Sequence, residues 1–460
     1  MRLSTQIILL ALCLFPIAAT AKPNIIYINV DDLGWADLGF QGSKYYETPN
    51  IDALAKSGTV FTNAYAPAAN CAPSRACCLT GQWPQRHGVY TVNNSDRGKS
   101  KTRKLIPTKN TLHIKGDNTT IGEVLKAAGY TTCHIGKWHV TKDPTKNGFD
   151  INIGGNARGG PYSGGYHSPF KYPNCLQVKP GEYLTDRLTD EAIGFINEHK
   201  KKPFFLHLAY YAVHSPLQAK QEKVSQFKKK QGTKGQNNPV YAGMISSLDD
   251  NIGKLIKYLD EQKMLENTLI LFTSDNGGVW NTSKQWPLRA GKGSYYEGGI
   301  REPLVIAWKG RVKAGQNIAT PVTGLDYFPT FLAAAAVKKP EGKILDGSNI
   351  LPLTQGKDIL ADRAIYWHFP VYLQGGNTDC QDPIFRTRPG SAIRYGNWKL
   401  IEYFENGDLE LYHLNKDPGE RNNLAKTFAT KTNTLHTMLK QWREQTEAPV
   451  PTEKNPDFKG

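Results

Sequence analysis

Acidic residues are scarce in this chain. Asp and Glu number 41 against 57 Lys and Arg over 460 residues, a formal charge of +16. Such a balance favours polyanionic partners by steering and local concentration, nucleic acid and sulfated polysaccharide alike. The densest lysine runs, 200–202 and 228–230, fall at expected helix ends and read as solvated faces. Cysteine is sparse too, with seven in all, which builds no disulfide framework in a chain this long. A Cys175–Cys380 bridge stays open, since sequence carries no proximity. There is no fixed-period repeat and no low-complexity segment. Past residue 21 no apolar run reaches membrane length, so no spanning helix is expected.

What is present starts with a leader. Arg2, an apolar run over 7–17 and the small-x-small site Ala19-Thr20-Ala21 read as a secretory signal over 1–21. Cys13 lacks the small residue before it that a lipid anchor would want. The mature chain is expected to start near Lys22 and to be exported, to the periplasm, a lumen or the medium.

Residues 24–30, a β-branched run between Pro23 and Asp31, read as a buried first strand. A helix starts at Thr48-Pro49, and a second strand covers 59–65. Thr120, with Glu123 three residues on, caps a helix ending at Gly129 before a strand at 130–135. An amphipathic helix at 183–199 precedes strand 204–209, and a long helix at 238–263 precedes strand 268–273. The alternation predicts an α/β fold: a doubly wound, mainly parallel sheet with helices on both faces. Beyond about residue 355 come short strands at 364–369, 392–403 (broken at Gly396-Asn397) and 409–414, then a helix at 427–445. They predict a smaller C-terminal α+β subdomain, an antiparallel sheet plus helix. The loops at 89–117, 152–181 and 371–390 are long and polar, a length usually tied to function or mobility.

Several residues carry chemistry. In Cys71-Ala72-Pro73-Ser74-Arg75, Pro73 fixes a torsion and Ser74 suits a helix cap. Cys71 is therefore expected where a loop becomes a helix, beside free N–H groups that suit an anion. A lone cysteine is otherwise a small buried hydrophobe. Asp31-Asp32 follows the first strand; neighbours within a strand diverge, but past its end both carboxylates can converge. A helix cap or solvated turn is the alternative. Ser274-Asp275-Asn276-Gly277-Gly278 repeats the arrangement after a later strand, and together the three carboxylates and one amide form an oxygen set suited to Ca²⁺ ahead of Mg²⁺. Lys137 and His139 leave a strand through Gly136. His214 precedes Ser215-Pro216, and Lys292 lies between Gly291 and Gly293. Taken singly, these would read as surface, packing or turn residues.

As a set they read otherwise. Cys-x-Pro-Ser-Arg-x-x-x-Leu-Thr-Gly at 71–81 resembles the sulfatase signature, and 129–139 resembles the second one. Val140-Thr141 departs from the Leu-Gly expected next. Residues 212–216 and 287–301 are similar to later blocks of that family, and the likeness runs over 24–303 with a looser continuation to 400. It implies a type I, arylsulfatase-like enzyme with an alkaline-phosphatase-like fold: a catalytic domain over 22–360 and a subdomain over 361–460 completing the cleft. Position 71 would be oxidised to formylglycine (3-oxoalanine) by a formylglycine-generating or sulfatase-maturating enzyme, and its hydrate would attack sulfur. Asp31, Asp32, Asp275, Asn276 and the group from Cys71 would hold the metal. Arg75 would steady the diol, while Lys137 and Lys292 neutralise sulfate oxygens. His214, with Lys292, would protonate the leaving alcohol. His139 would deprotonate the second hydroxyl, releasing sulfate and restoring the aldehyde.

For substrate, the charge and polar loops favour a sulfated glycan (ulvan, carrageenan, fucan or glycosaminoglycan) over an apolar sulfate, with no nucleic acid and no membrane anchor. Gln85, Arg86 and His87 are placed to reach sugar. His368 and Tyr372, in an aromatic stretch over 366–372, with Arg386 and Arg388, could form a wall. Packing of the subdomain is the competing account of that stretch. The rival activities are a phosphoester or phosphonate hydrolase of the same superfold, and an inactive glycan-binding homologue.

Overall fold

The first strand is apolar on both sides, and both sides are covered. In Asn24–Val30, Ile26, Ile28 and Val30 enter one core while Ile25 and Tyr27 enter another, all fully or almost fully buried. A strand covered on both faces is the mark of a sheet with helices on each side. The structure, a computed structural model, describes residues 22–175, 177–357, 360 and 362–459. The leader expected at 1–21 lies outside the described residues.

In chain order the main sheet contains β1 (Asn24–Val30), β2 (Thr59–Phe61), β3 (Thr131–Gly136), β4 (Ile151–Ile153), β5 (Phe204–Ala209), β6 (Thr268–Ser274), β7 (Leu304–Ala307) and β8 (Gln316–Ile318). Their spatial order is β8-β2-β7-β6-β1-β5-β3-β4. All pairings are parallel except those of β7, which runs against both β2 and β6. Helices α1 (Pro49–Ser57), α3 (Leu184–His199) and α4 (Pro239–Glu261) pack on one face; α2 (Cys71–Thr80) and α5 (Tyr327–Ala335) pack on the other. The doubly wound, mainly parallel expectation holds. Truncating a core side chain such as Leu248 or Phe331 to Ala would cost about 2–5 kcal/mol.

Two local expectations change. The strand read at 59–65 is split at Thr62-Asn63: Thr59–Phe61 joins the main sheet, and Ala64–Tyr65 joins a three-stranded sheet with Arg301–Glu302 and Val322–Thr323. Arg301 braces the break, donating to Thr62 O at 3.0 Å and to Asn63 Oδ1 at 2.7 Å. The six described cysteines are all free, so the Cys175–Cys380 bridge is not formed. Cys175 and Cys380 are buried in different hydrophobic clusters.

A second sheet comprises β9 (Ala364–Phe369), β10 (Gly390–Tyr395), β11 (Trp398–Tyr403) and β12 (Asp408–His413), antiparallel and in sequence order. Helix α6 (Ala429–Gln445) covers one side, where Leu435, Leu439 and Trp442 meet Ile393, Leu400 and Leu411. The other side, with Trp367, Ala392 and Ile401, is buried against Tyr65, Tyr295, Tyr296 and Ile300. Inside that contact Lys399 Nζ lies 3.1 Å from Glu297 Oε1 and 2.9 Å from Glu420 Oε1, with no side-chain exposure. Among the described residues no helix is long and apolar enough to cross a membrane.

Candidate active site

Four parallel strands end at one edge, and the ladder carries their exits together. Asp31 N donates to Ala212 O (2.9 Å), Asp275 N to Val30 O (3.0 Å) and Lys137 N to Ala209 O (2.7 Å). Asp32 then takes φ 60°, and this left-handed residue breaks the strand alternation so that both aspartates serve one site. His139, also at φ 60°, is turned back in the same way after β3. Gly277 lets β6 exit tightly past the 298–299 backbone: a Cβ there would lie 2.1 Å from Gly298 O. Helix α2 begins at Cys71 itself, with Asn70 as its cap residue; Ser74, expected as the cap, sits inside the first turn and donates its N–H to Asn70 O at 3.2 Å. Cys71 is 3% exposed.

The charges interlock. Lys137 Nζ is 2.6 Å from Asp31 Oδ2 and 3.9 Å from Asp275 Oδ2, Arg75 Nε is 2.8 Å from Asp275 Oδ2, and Lys292 Nζ is 2.6 Å from Asp32 Oδ1. Asn276 Nδ2 donates to Asp32 Oδ1 at 2.8 Å. His214 Nε2 stands 3.8 Å from Asp32 Oδ2, while its Nδ1 is 2.6 Å from Ser215 O. Ligand atoms of Asp31, Asp32 and His214 all lie within 4.8 Å of one another. Burial raises Asp31 to about 7 against the pull of Lys137. For Asp32 burial is outweighed by Lys292, His214 and Lys137, and its pKa falls well below the carboxylate range. Burial disfavours the Lys292 charge, but Asp32 and then Cys71 hold its pKa above normal. Burial, Lys137 and Arg75 push His139 well down, so it is neutral. Buried Asp31 Oδ1, Asn276 Oδ1 and His139 Nδ1 have no hydrogen-bond partner among the described residues.

A sequence model of the sulfatase family matches residues 23–337, and one described as N-sulphoglucosamine sulphohydrolase, C-terminal, matches 291–447. The chain belongs to the sulfatase family. A sulfatase of Formosa agariphila is 30% identical over 98% of this chain and 95% of its own length. The N-acetylgalactosamine-6-sulfatase of Homo sapiens is 32% identical over 95% of this chain and 88% of its own. Among solved structures, Ps i-CgsB in complex with k-i-k-neocarrahexaose superposes with a TM-score of 0.76 at 33% identity, covering 94% of each chain. This sulfatase is accordingly a sulfuric ester hydrolase with an alkaline-phosphatase-like fold.

The sulfatase brings together Asp31, Asp32, Arg75, Lys137, His139, His214, Asp275, Asn276 and Lys292, with Cys71 acting electrostatically on Arg75 and Lys292. Most of the expected sugar contacts go elsewhere. His87 is buried against Cys77 Sγ at 3.4 Å, and burial and then Lys343 lower its pKa to about 3. Arg86 is clamped by Asp346 at 2.7 Å, and Gln85 by Thr446 at 2.9 Å. His368 is sealed between Ser391 Oγ (2.8 Å) and Pro449 O (2.9 Å). The Tyr372 hydroxyl donates to Glu405 and accepts from Leu105 N, and Arg388 is held by Asp382 and Glu405. His368 lies on β9, whose sheet is covered on both faces, and Tyr372 is fully buried just beyond it, so the aromatic stretch is packing. Arg386 alone of the group approaches the site, its Nη1 3.4 Å from Lys292 O.

Sequence reading missed a cleft of about 880 Å³, whose lining includes Lys142, Arg158, Lys171 and Tyr172 and no acidic residue. One lining residue, Asn156, is bonded to the site, its carbonyl oxygen accepting from His139 N at 3.0 Å. Tyr162, 59% exposed, stands edge-on to His214 with ring centroids 6.2 Å apart. The length of the 152–181 loop was the one available signal.

Proposed function

We propose that the enzyme removes sulfate from a sulfated polysaccharide or oligosaccharide, using formylglycine at position 71 and a divalent metal, Ca²⁺ ahead of Mg²⁺. One observation carries the reading: three cations, Arg75, Lys137 and Lys292, converge with three carboxylates beside Cys71 at a helix start. The metal fits the residues present, because the unpartnered Asp31 Oδ1 and Asn276 Oδ1 join the Asp32 and Asp275 carboxylates in a hard-oxygen set. Bound there, the cation would polarise the sulfate oxygens, and formylglycine from Cys71 would supply the oxygen nucleophile.

The rest falls to the chain's own side chains. Lys137 and Lys292 hold ammonium groups where negative charge grows on sulfate, in a buried setting where such charges act strongly. Arg75 fixes Asp275 and, through Nη1 to Lys137 O at 3.0 Å, the β3 exit. His214 is oriented by its Nδ1 donating to Ser215 O, so that in the doubly protonated ring the Nε2–H would be the one given to the leaving alcohol. Neutral His139, with an unpartnered Nδ1, suits the role of base in the second half of the cycle. The acid-free cleft and exposed Tyr162 favour a polyanionic sugar as the leaving group. Residues 22–360 would form the catalytic domain and 361–460 would complete the cleft, in an exported protein matured by a formylglycine-generating enzyme.

The test is Cys71→Ala with the parent protein from a maturation-competent host. Intact-mass analysis of the peptide around position 71 should show the aldehyde in the parent. Turnover of an aryl sulfate, in excess of the matched aryl phosphate, should vanish in the folded variant. Near-parental turnover in Cys71→Ala would sink the proposal.

A further inference from the structure

Arg97 and Arg386 are left unused by that chemistry. Arg386 lies along the turn that carries Lys292, donating from Nη1 to Lys292 O (3.4 Å) and from Nε to Gly375 O (3.2 Å). Gly293, in left-handed conformation (φ 88°), makes room for it: a Cβ there would lie 2.8 Å from Arg386 Cδ. Across from the short strand Phe385–Thr387, which carries Arg386, Gly98 is seated on the Phe385 ring, where a Cβ would come within 2.8 Å, and the preceding residue, Arg97, stands within electrostatic range of Arg386. The loop is pinned there by Arg103, whose Nη1 donates to Gly98 O at 2.7 Å.

Neither arginine forms an ion pair among the described residues; Arg97 donates to Val92 O at 3.5 Å. Arg388, two residues along the same strand region, is by contrast locked by two carboxylates. Burial and then the like charge of Arg386 hold the Arg97 pKa below the usual arginine range, and position 71 lies within electrostatic range of Arg97. Two half-buried guanidinium groups thus repel one another within electrostatic reach of position 71. An oxyanion between them would relieve that repulsion and accept forked hydrogen bonds from both.

We propose that Arg97 and Arg386 form a second anion subsite, adjoining the one for the scissile sulfate, which takes another sulfate or a carboxylate carried on the same glycan. The inference rests on the sulfated-glycan reading above and narrows it: the preferred substrate is multiply anionic near the ester that is cleaved. It differs from the open basic cleft, whose lysines and Arg158 would attract a polyanion without fixing its pattern.

The test compares kcat/KM on matched oligosaccharides bearing one sulfate, that sulfate plus a second, or that sulfate plus a uronate carboxylate. The parent enzyme should prefer one doubly charged member at least tenfold, and which one identifies the second group. Arg97→Ala should reduce that preference about tenfold, chiefly through KM, and Arg97→Lys should keep part of it. Equal loss on all substrates, with the preference unchanged, means a structural role and overturns the proposal. So does a parent enzyme without preference. Turnover of any of the three members by the parent enzyme is a separate arm; its absence on all of them would defeat the sulfated-glycan reading itself, whereas turnover without a preference defeats the subsite alone.

Discussion

Lys292 Nζ sits 2.6 Å from Asp32 Oδ1, and this contact ties a glycine-flanked loop to the exit of the first strand. The lysine side chain keeps 13% exposure while Asp32 keeps 3%, so the lysine is the more open member of the pair. Lys292→Ala is predicted to lower kcat/KM for a sulfate ester by about 10²–10³, the usual scale for one group that stabilises developing charge. Metal content, measured on the same preparation, should stay at the parental level because the oxygen ligands remain.

Asp275 has a different burden. It accepts from Arg75 Nε at 2.8 Å and from Asp32 N at 3.1 Å, and both charged side chains are fully buried. Asp275→Ala leaves Arg75 buried without its partner, which should cost about 3–5 kcal/mol. Urea unfolding of the variant should show this loss together with loss of bound metal. Chelating the metal from the parent protein should abolish turnover, and Ca²⁺ should restore it more fully than Mg²⁺.

Much of the fold was legible because strands such as β1, β5 and β6 are apolar on both faces and start after Pro23, Pro203 and Asn267, all local signals. The cluster at the strand exits was legible as residue types, but the convergence of Asp31 and Asp32 depends on the left-handed turn at Asp32, which tertiary contacts impose. Sugar contacts were far less legible. His368 and Tyr372 look like a binding surface in sequence, yet the second sheet is covered on both sides, a fact held by residues as distant as Tyr65 and Trp442. Arg97 lies in an aperiodic loop, and only its meeting with Arg386 makes it informative.

His214 should reveal its role through the leaving group. With its Nδ1–H committed to Ser215 O, its Nε2 is the nitrogen that can pass a proton to a departing oxygen from the doubly protonated ring. His214→Ala is predicted to slow release from an alkyl or sugar sulfate by about 10²–10³, and from a nitrophenyl sulfate far less, because a phenolate leaves without protonation. A plot of log kcat against leaving-group pKa should therefore be steeper in the variant. Parallel lines for the two proteins would remove His214 from the acid role.

The buried Glu297–Lys399–Glu420 group at the contact of the two sheets predicts a pH dependence of stability. Burial, then repulsion from Glu297 against the pull of Lys399, raises Glu420 to about 7, whereas burial of Glu297 is outweighed by Lys399 and Arg301, which lower its pKa. A carboxyl whose folded pKa is raised binds a proton that the unfolded chain has already released. Its contribution is therefore complete below the ordinary glutamate pKa, about 4.3, and is lost as pH rises towards 7. Above 7 it is flat, since both states are ionised. Glu420→Gln keeps the shape and offers an amide oxygen to Lys399 Nζ or Glu297 N without titrating. The difference in urea midpoint between parent and variant should thus move in the variant's favour between pH 4.5 and 7 and then level off. A difference that stays constant across that window would mean that Glu420 is ionised in the folded protein throughout.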